Sequence, residues 1–361
     1  MKHEEDKNLK ILMDASLDLF DTDGVVYYRQ SDNFNTAEEY LNIWNTFDDI
    51  TKSKKPPFVL VESKRSNHKI IEMSNLGRHV INTINYSAII VTHHFNSHKL
   101  HPKVDLFIKA INKHELNALV KYINQNMNQN TTKRIYDALC GFIAHIKSSA
   151  TTGTLQKEIN LFSRTSRKNY ASLVNYINKL FDKQSRLLVI RIDLGYTEEH
   201  SKKITSEMAI NHRNKLLKNT RNNEIFQHIR GYVWKLEFGV SKGYHYHMLF
   251  LFDVSKVRED INIARRIGEH WCSSITDGNG IYFNCNYIKN TYKCLGIGMI
   301  NHFEQTKREN LKKAALYLTK TDNYIKLALP TGARVFGKGE IPHSVWNNSQ
   351  NTTVMLGISV K

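Results

Sequence analysis

The chain has 361 residues, 41% of them hydrophobic, and a formal net charge of +17. That length suggests two domains, or one domain with a large addition. No window approaches about 18 consecutive apolar residues, so no membrane span is expected, and the polar, acid-bearing start MKHEEDKNLK is wrong for a secretory signal, which points to the cytoplasm. Divided at residue 165, the first part holds 21 Lys+Arg against 18 Asp+Glu and the second 30 against 16, a net of +3 and +14. A basic domain of this kind expects a polyanion, most often nucleic acid. There is no basic amphipathic helix with a lone apolar face to favour an anionic membrane. Cys140, Cys272, Cys285 and Cys294 form no C-x-x-C pair, which argues against a zinc ribbon or a thioredoxin-like site, and all four read as reduced core cysteines.

The spacing predicts a mainly helical N-terminal region over 1–165. Helical spacing runs through 8–20 and again through 103–127, where Leu106, Ile108, Ile111, Leu116, Leu119, Val120 and Ile123 make one broad stripe. The apolar runs 56–62 and 86–94 read as strands, and the polar runs 124–133 and 148–154 as loops. His93, His94, His98 and His101 have no carboxylate or cysteine at a matching spacing, so they read as a solvated loop rather than a metal site.

The second region, 166–361, alternates more sharply. Residues 186–196 form a strand with Leu188, Ile190, Ile192 and Leu194 on one face and Val189, Arg191 and Asp193 on the other. A basic helical segment follows at 200–229, then a strand at 231–239, a short turn at 240–243 and a third strand at 244–253. A helix over 255–271, strand-like stretches at 280–288 and 296–303, and a last helix over 306–326 complete an α+β domain: an antiparallel sheet with helices on one side.

The third strand, YHYHMLFLFD, is apolar on both faces beyond its first residues, so it is central to the sheet. Residues two apart share a face, which puts His245 and His247 together. Glu237 lies across the turn, and same-face pairing makes its neighbour His245 or His247, with Cβ atoms ~4.5–5.5 Å apart. Two imidazoles and a carboxylate are a ligand set for a divalent cation with open coordination positions. Such a set serves an oxygenase, a hydrolase or a nuclease, and the charge of the domain favours a phosphate substrate.

The last helix reads NLKKAALYLTKTDNYIK. Leu311, Ala314, Ala315 and Leu318 make its apolar stripe, while Tyr317 and Lys320, three apart, share another face, with Lys313 and Tyr324 along the same side. A tyrosine is a weak nucleophile at its free pKa of ~10. A metal on the scissile phosphate and a nearby ammonium offset that weakness.

Three motifs in this order, Glu237, the His245-Tyr246-His247 strand and the Tyr317-x-x-Lys320 helix, resemble the HUH endonucleases, the rolling-circle replication initiators. The wording WKLEFGVSKGYHYHMLFLFD, LGIGMI and ALYLTKTDNY resembles one branch of them, the inovirus gene-two-like or YagK/YfjJ C-terminal domain family, over about residues 180–345. The resemblance implies a ferredoxin-like fold, a Mg²⁺ or Mn²⁺ site at His245, His247 and Glu237, and attack by Tyr317 on one DNA strand of a phage or other mobile element. The tyrosine would stay on the 5′ end and release a 3′-hydroxyl, with Lys320 assisting and Asp322 near enough to help hold the metal. Some initiators carry two tyrosines four apart; here Tyr324 follows seven residues on, ~10 Å along a helix, so one catalytic tyrosine is expected. Where a threonine-rich first motif is common, this chain reads RIDL, and Arg191 and Asp193 face the site only if the order of strands in the sheet allows it. Arg191, Asp193, Arg213, Lys215, Lys218, Lys313 and Tyr324 are the expected contacts to single-stranded or origin DNA. Residues 1–165 lie outside the resemblance; binding DNA, recruiting a host helicase and buttressing the other domain are the roles open to them. A transposase or relaxase of the same chemistry, a metal-dependent oxygenase or hydrolase of small molecules, and a DNA-binding regulator without activity are the rival readings.

Overall fold

In a computed structural model the described residues are 17–22, 25–30, 32–63, 68–94, 98–123, 128–239, 242–292, 294–320, 322 and 325–341. They form an α+β protein organised by separate cores. One lies between Tyr40 and Leu155. Two more lie on opposite faces of an antiparallel sheet built from the second half of the chain.

The first half contains β1 (Leu17–Thr22) paired with β2 (Val25–Gln30), α1 (Asp32–Lys52), and β3 (Phe58–Glu62) paired with β4 (Lys69–Met73). It continues with α2 (Asn75–His94), β5 (His98–Leu100), α3 (Pro102–Lys113) and α4 (Gln129–Thr151). The helix expected over 8–20 falls partly outside the described residues, and its last four residues are strand. The strand expected at 86–94 is the second half of α2, which buries Val80, Ile84 and Ser87 at helical spacing. A short β-branched run fits either a strand or a buried helix, and the residues ahead of it decide for the helix. The stripe over 103–127 breaks at Lys113: Glu115 takes a left-handed φ of 52°, and only short turns follow, up to Tyr122. The loop expected from 124 yields to α4 at Gln129, because the Asn128 side chain accepts from Thr131 N at 2.8 Å and caps the helix.

The histidine cluster is not a solvated loop. His93 and His94 end α2, and His101 is buried against the Trp44 ring, 4.3 Å between centroids. His101 Nδ1 accepts from Lys103 N at 3.2 Å and caps α3. Burial and the Lys103 ammonium push its imidazole down to about 3, which keeps that nitrogen an acceptor.

The boundary expected at 165/166 lies inside one helix, α5 (Gly153–Lys183). Its start contributes Leu155 to the N-terminal core, and its end contributes Leu173, Tyr176, Ile177, Leu180 and Phe181 to the sheet. The change of core therefore falls within a continuous helix, and no linker marks it.

The sheet holds β6 (Arg186–Tyr196), β7 (Ile229–Gly239), β8 (Gly243–Asp253), β9 (Gly280–Asn284), β10 (Gly298–Asn301) and β12 (Phe336–Lys338). Its order is β10-β6-β8-β7-β12, with β9 also on β6, so β8 is central as its apolar faces require. Helices cover both faces rather than one. The face of Leu188, Ile190, Met248 and Phe250 packs α6 (Ser206–Asn219) and α7 (Asp260–His270). The face of Val189, Leu249 and Leu251 packs α5 and α8 (Gln305–Lys320). The last helix was expected to reach 326, but α8 stops at Lys320 and β11 (Ile325–Leu327) pairs with β5.

Of the cysteines, only Cys285 is buried in the core; Cys140 and Cys272 are half-buried and Cys294 is exposed. No helix among the described residues is long and apolar enough to cross a membrane.

Candidate metal centre

The β7–β8 hairpin sets the centre. Its register pairs Glu237 directly with His245, and β8 pairs His247 with Asp193 of β6 on the other side. All four side chains therefore stand on one sheet face, at the turn end of β8. Ligand atoms of Glu237, His245 and His247 lie within 4.8 Å of one another. Glu237 Oε2 is 3.4 Å from His247 Nε2 and 3.9 Å from His245 Nε2.

The opposite nitrogens are committed elsewhere. His247 Nδ1 donates to Asp193 Oδ1 at 2.7 Å, and His245 Nδ1 donates to the Gly243 carbonyl at 3.1 Å. A carbonyl only accepts, so the proton of neutral His245 sits on Nδ1 and Nε2 presents a lone pair. The same holds for His247 once its Nε2 proton leaves. This is the outer-shell arrangement that orients metal-ligating histidines. Gly243 takes φ +63°, and a Cβ there would meet the Ser201 carbonyl oxygen at 2.7 Å, so glycine is what this turn admits. An ion with ~2.1 Å bonds at right angles needs donors ~3 Å apart, so the 3.4 and 3.9 Å separations fit one divalent cation after a small contraction.

Electrostatics agree with the geometry. Burial alone would lower the His247 imidazolium, but Asp193 and Glu237 outweigh it and hold it up at about 9. Burial and the His247 charge push His245 down to about 4, against a smaller opposing pull from Glu237. Burial works to raise both carboxyls, yet His247 keeps Asp193 and Glu237 well below the usual carboxylate range. In the absence of metal, a proton on His247 occupies the space between two carboxylates.

Asp193, expected among the DNA contacts, instead anchors His247; a carboxylate here would repel a phosphate. Asp193→Asn should lower Mn²⁺ affinity by about 10–100-fold, the usual cost of losing an outer-shell partner, while the melting curve stays cooperative. Titration calorimetry reads this directly, and an unchanged affinity would remove Asp193 from the site. Arg191 shares the face, with its Nε 3.9 Å from Asp193 Oδ1, so the fold brings this expected DNA contact beside the candidate metal residues as well.

Asp322 does not join the ligand set. It is buried and forms an ion pair with Lys235, also buried, which stands directly opposite His247 on β7. Lys235 is the neighbour of the candidate site that sequence reading missed, although its place on the Glu237 face was legible. The pair ties the chain just beyond α8 to the metal face. Ser166 of α5 holds the Thr319 carbonyl from the other side, and Leu318 is buried in the core beneath. Tyr317 and Lys320 are thus backbone positions in the last turn of α8, flanked by three anchored residues; their side chains, and Tyr324 altogether, lie outside the described residues. Asp322→Ala strands the Lys235 ammonium and should cost roughly 3–5 kcal/mol. The double variant Lys235→Met/Asp322→Leu should recover most of it, as urea unfolding will show; equal losses in both would mean that packing, not charge, holds this joint.

The remaining expected contacts lie elsewhere. Arg213, Lys215 and Lys218 are on α6, which covers the opposite sheet face. Arg213 is buried with its guanidinium 4.0 Å from the Trp234 ring, and burial lowers its pKa. Lys215 donates to the Ile275 carbonyl at 3.4 Å. Lys313 is exposed on α8 and reaches Asn310.

Two histidines of the central strand β8 and a carboxylate of its neighbour β7 thus converge on one face of an α+β domain. The YagK/YfjJ C-terminal domain family matches residues 149–339, just over half of the chain, and the chain belongs to that family. No curated protein and no solved structure matches it.

Proposed function

We propose that the protein is a metal-dependent tyrosine DNA endonuclease and strand transferase of the HUH type, a rolling-circle replication initiator. The observation that carries this reading is the convergence of both Nε2 atoms on Glu237 with both Nδ1 atoms already engaged. That arrangement aims the Nε2 lone pair of His245, and that of His247 once its Nε2 proton has left, toward the Glu237 carboxylate.

His245, His247 and Glu237 would hold the ion. A bound Mg²⁺ or Mn²⁺ supplies Lewis-acid polarisation of the scissile phosphate; two imidazoles favour Mn²⁺, since Mg²⁺ selects oxygen donors. Arg191 neutralises charge on the same phosphate. Tyr317 gives up its phenolic proton, with the Lys320 ammonium favouring the phenolate, and its oxygen bonds to phosphorus. The P–O3′ bond breaks and the 3′-oxygen takes a proton. The product is a 5′-phosphotyrosine and a free 3′-hydroxyl. Attack by a DNA 3′-hydroxyl on that phosphotyrosine regenerates tyrosine and rejoins the strand, with no external energy source. The net charge of +14 over residues 166–361 supports a polyanionic substrate.

The test is incubation with single-stranded oligonucleotides tiled across the chain's own locus, with Mn²⁺ or with EDTA. A protein–DNA band that survives denaturing electrophoresis and needs the metal is expected. Salt-sensitive binding with no adduct on any sequence would instead favour a regulator without activity.

A further inference from the structure

Far from the metal residues, at the opposite end of β7, a cleft of about 730 Å³ opens between α6, β7 and β12. Lys218 and Arg221 line it from the end of α6, Arg230 and Tyr232 from β7, and Lys338 from β12, against one carboxylate, Glu340. Arg230 is paired with Asp253 at 2.7 Å, and Lys338 stands 4.8 Å from the Tyr176 ring. Among the described residues no carboxylate pairs with Lys218 or Arg221. Cations near a helix C-terminus complement its dipole, which accounts for Lys218 alone. It does not account for Arg230 and Lys338, which arrive from two separate strands. Asp253 neutralises Arg230, but Glu340 is the one carboxylate lining the cleft against Lys218, Arg221 and Lys338, so the cleft keeps a surplus of positive charge that an anion would offset.

We propose that this cleft is a second phosphate site that grips the backbone of the same DNA strand cut at the metal centre; it rests on the DNA reading above. Tyr232 and Glu237 are five residues apart on β7, roughly 17 Å at ~3.4 Å per residue. Being an odd number of residues apart they lie on opposite faces, so a strand seated at both points would cross over the β7–β12 edge of the sheet. The cleft is concave and mostly polar, which suits a phosphodiester chain better than a flat lipid surface. Tyr232 is half-buried beside the cations, with Arg221 and Arg213 close enough to pull its raised hydroxyl pKa partly back down against burial. Phosphate contacts of this kind position a strand and read no sequence.

The test uses the full chain in EDTA, so that no cleavage occurs, with a single strand of about 20 nucleotides, longer than the ~4–16 that one binding fold covers. In the variant Lys218→Gln/Arg221→Gln/Lys338→Gln the slope of log affinity against log salt should fall by about 2, at ~0.7 per phosphate, so the affinity lost between ~50 and ~200 mM salt shrinks roughly 18-fold. Lys218→Glu/Arg221→Glu, confined to exposed positions, should weaken binding without moving the melting temperature, and Lys218→Arg should bind as the parent does. A parental slope in the triple variant overturns the cleft and leaves cleavage standing. Parental binding with no adduct under Mn²⁺ overturns cleavage and leaves the cleft standing. Loss of binding to phosphatidylserine vesicles with an unchanged DNA slope overturns the proposal in favour of a membrane surface.

Discussion

Tyr317→Phe should form no denaturation-resistant adduct with any single-stranded oligonucleotide, while binding it with parental affinity and salt dependence. The expected fall is several orders of magnitude, comparable with the roughly 10⁶-fold loss when other enzymes lose a covalent nucleophile. The substitution removes one oxygen and keeps the ring. Leu318 in the core, Ser166 on the Thr319 carbonyl and Lys235 on Asp322 hold the surrounding turn in either case, so a folding defect is not expected. Lys320→Ala should leave a slower but detectable reaction, because an ammonium that favours phenolate assists and does not form the bond. An adduct that persists in Tyr317→Phe would place the nucleophile on another residue.

The second large effect concerns the metal. His245→Ala/His247→Ala should abolish both Mn²⁺ binding and metal-dependent cleavage, yet leave salt-sensitive DNA binding. In the parent, binding should be coupled to one proton. The His247 imidazolium, held up at about 9, must surrender its Nε2 proton before that nitrogen can ligate. His245 is pushed down to about 4 and is already neutral at pH 7, so it releases none. Mn²⁺ affinity should therefore rise as pH climbs toward 9, and calorimetry in buffers of different ionisation enthalpy should count one proton released. Stability without metal runs the other way. A raised folded-state pKa stabilises fully below the ordinary value of 6.5 and ceases to do so as pH rises through about 9. Melting temperatures in EDTA should fall across that window and those in Mn²⁺ should not. Parallel curves with and without Mn²⁺ would mean that the ion does not take the proton's place.

Much of the centre was legible because it is built from local rules. The alternation of 243–253 put the histidines on one face, and a tight hairpin allowed Glu237 only His245 or His247 as neighbour. The observed register chose His245. What stayed hidden depends on long-range packing. Asp193 became an anchor rather than a DNA contact because β6 lies beside β8, a strand order that no local pattern encodes. Arg213, Lys215 and Lys218 left the site because α6 crossed to the other face. Asp322 found a partner 87 residues away, in Lys235. The strand expected at 86–94 failed for a different reason: buried helices and buried strands share the same short apolar runs, and only the preceding turns of α2 separate them.

The pairing of β11 with β5 joins residues 325–327 to residues 98–100. Lys326 also reaches back to the Phe162 carbonyl, and the His98 ring lies 6.1 Å from that of Phe238, one residue beyond Glu237. The chain leaving α8 is thus completed by a strand from outside the residues the family matches. A fragment cut at 149 and 339 would carry β11 with an unsatisfied row of amides and carbonyls, the kind of edge that recruits a second copy of itself. The N-terminal half thus supplies the strand that covers the β11 edge just beyond α8.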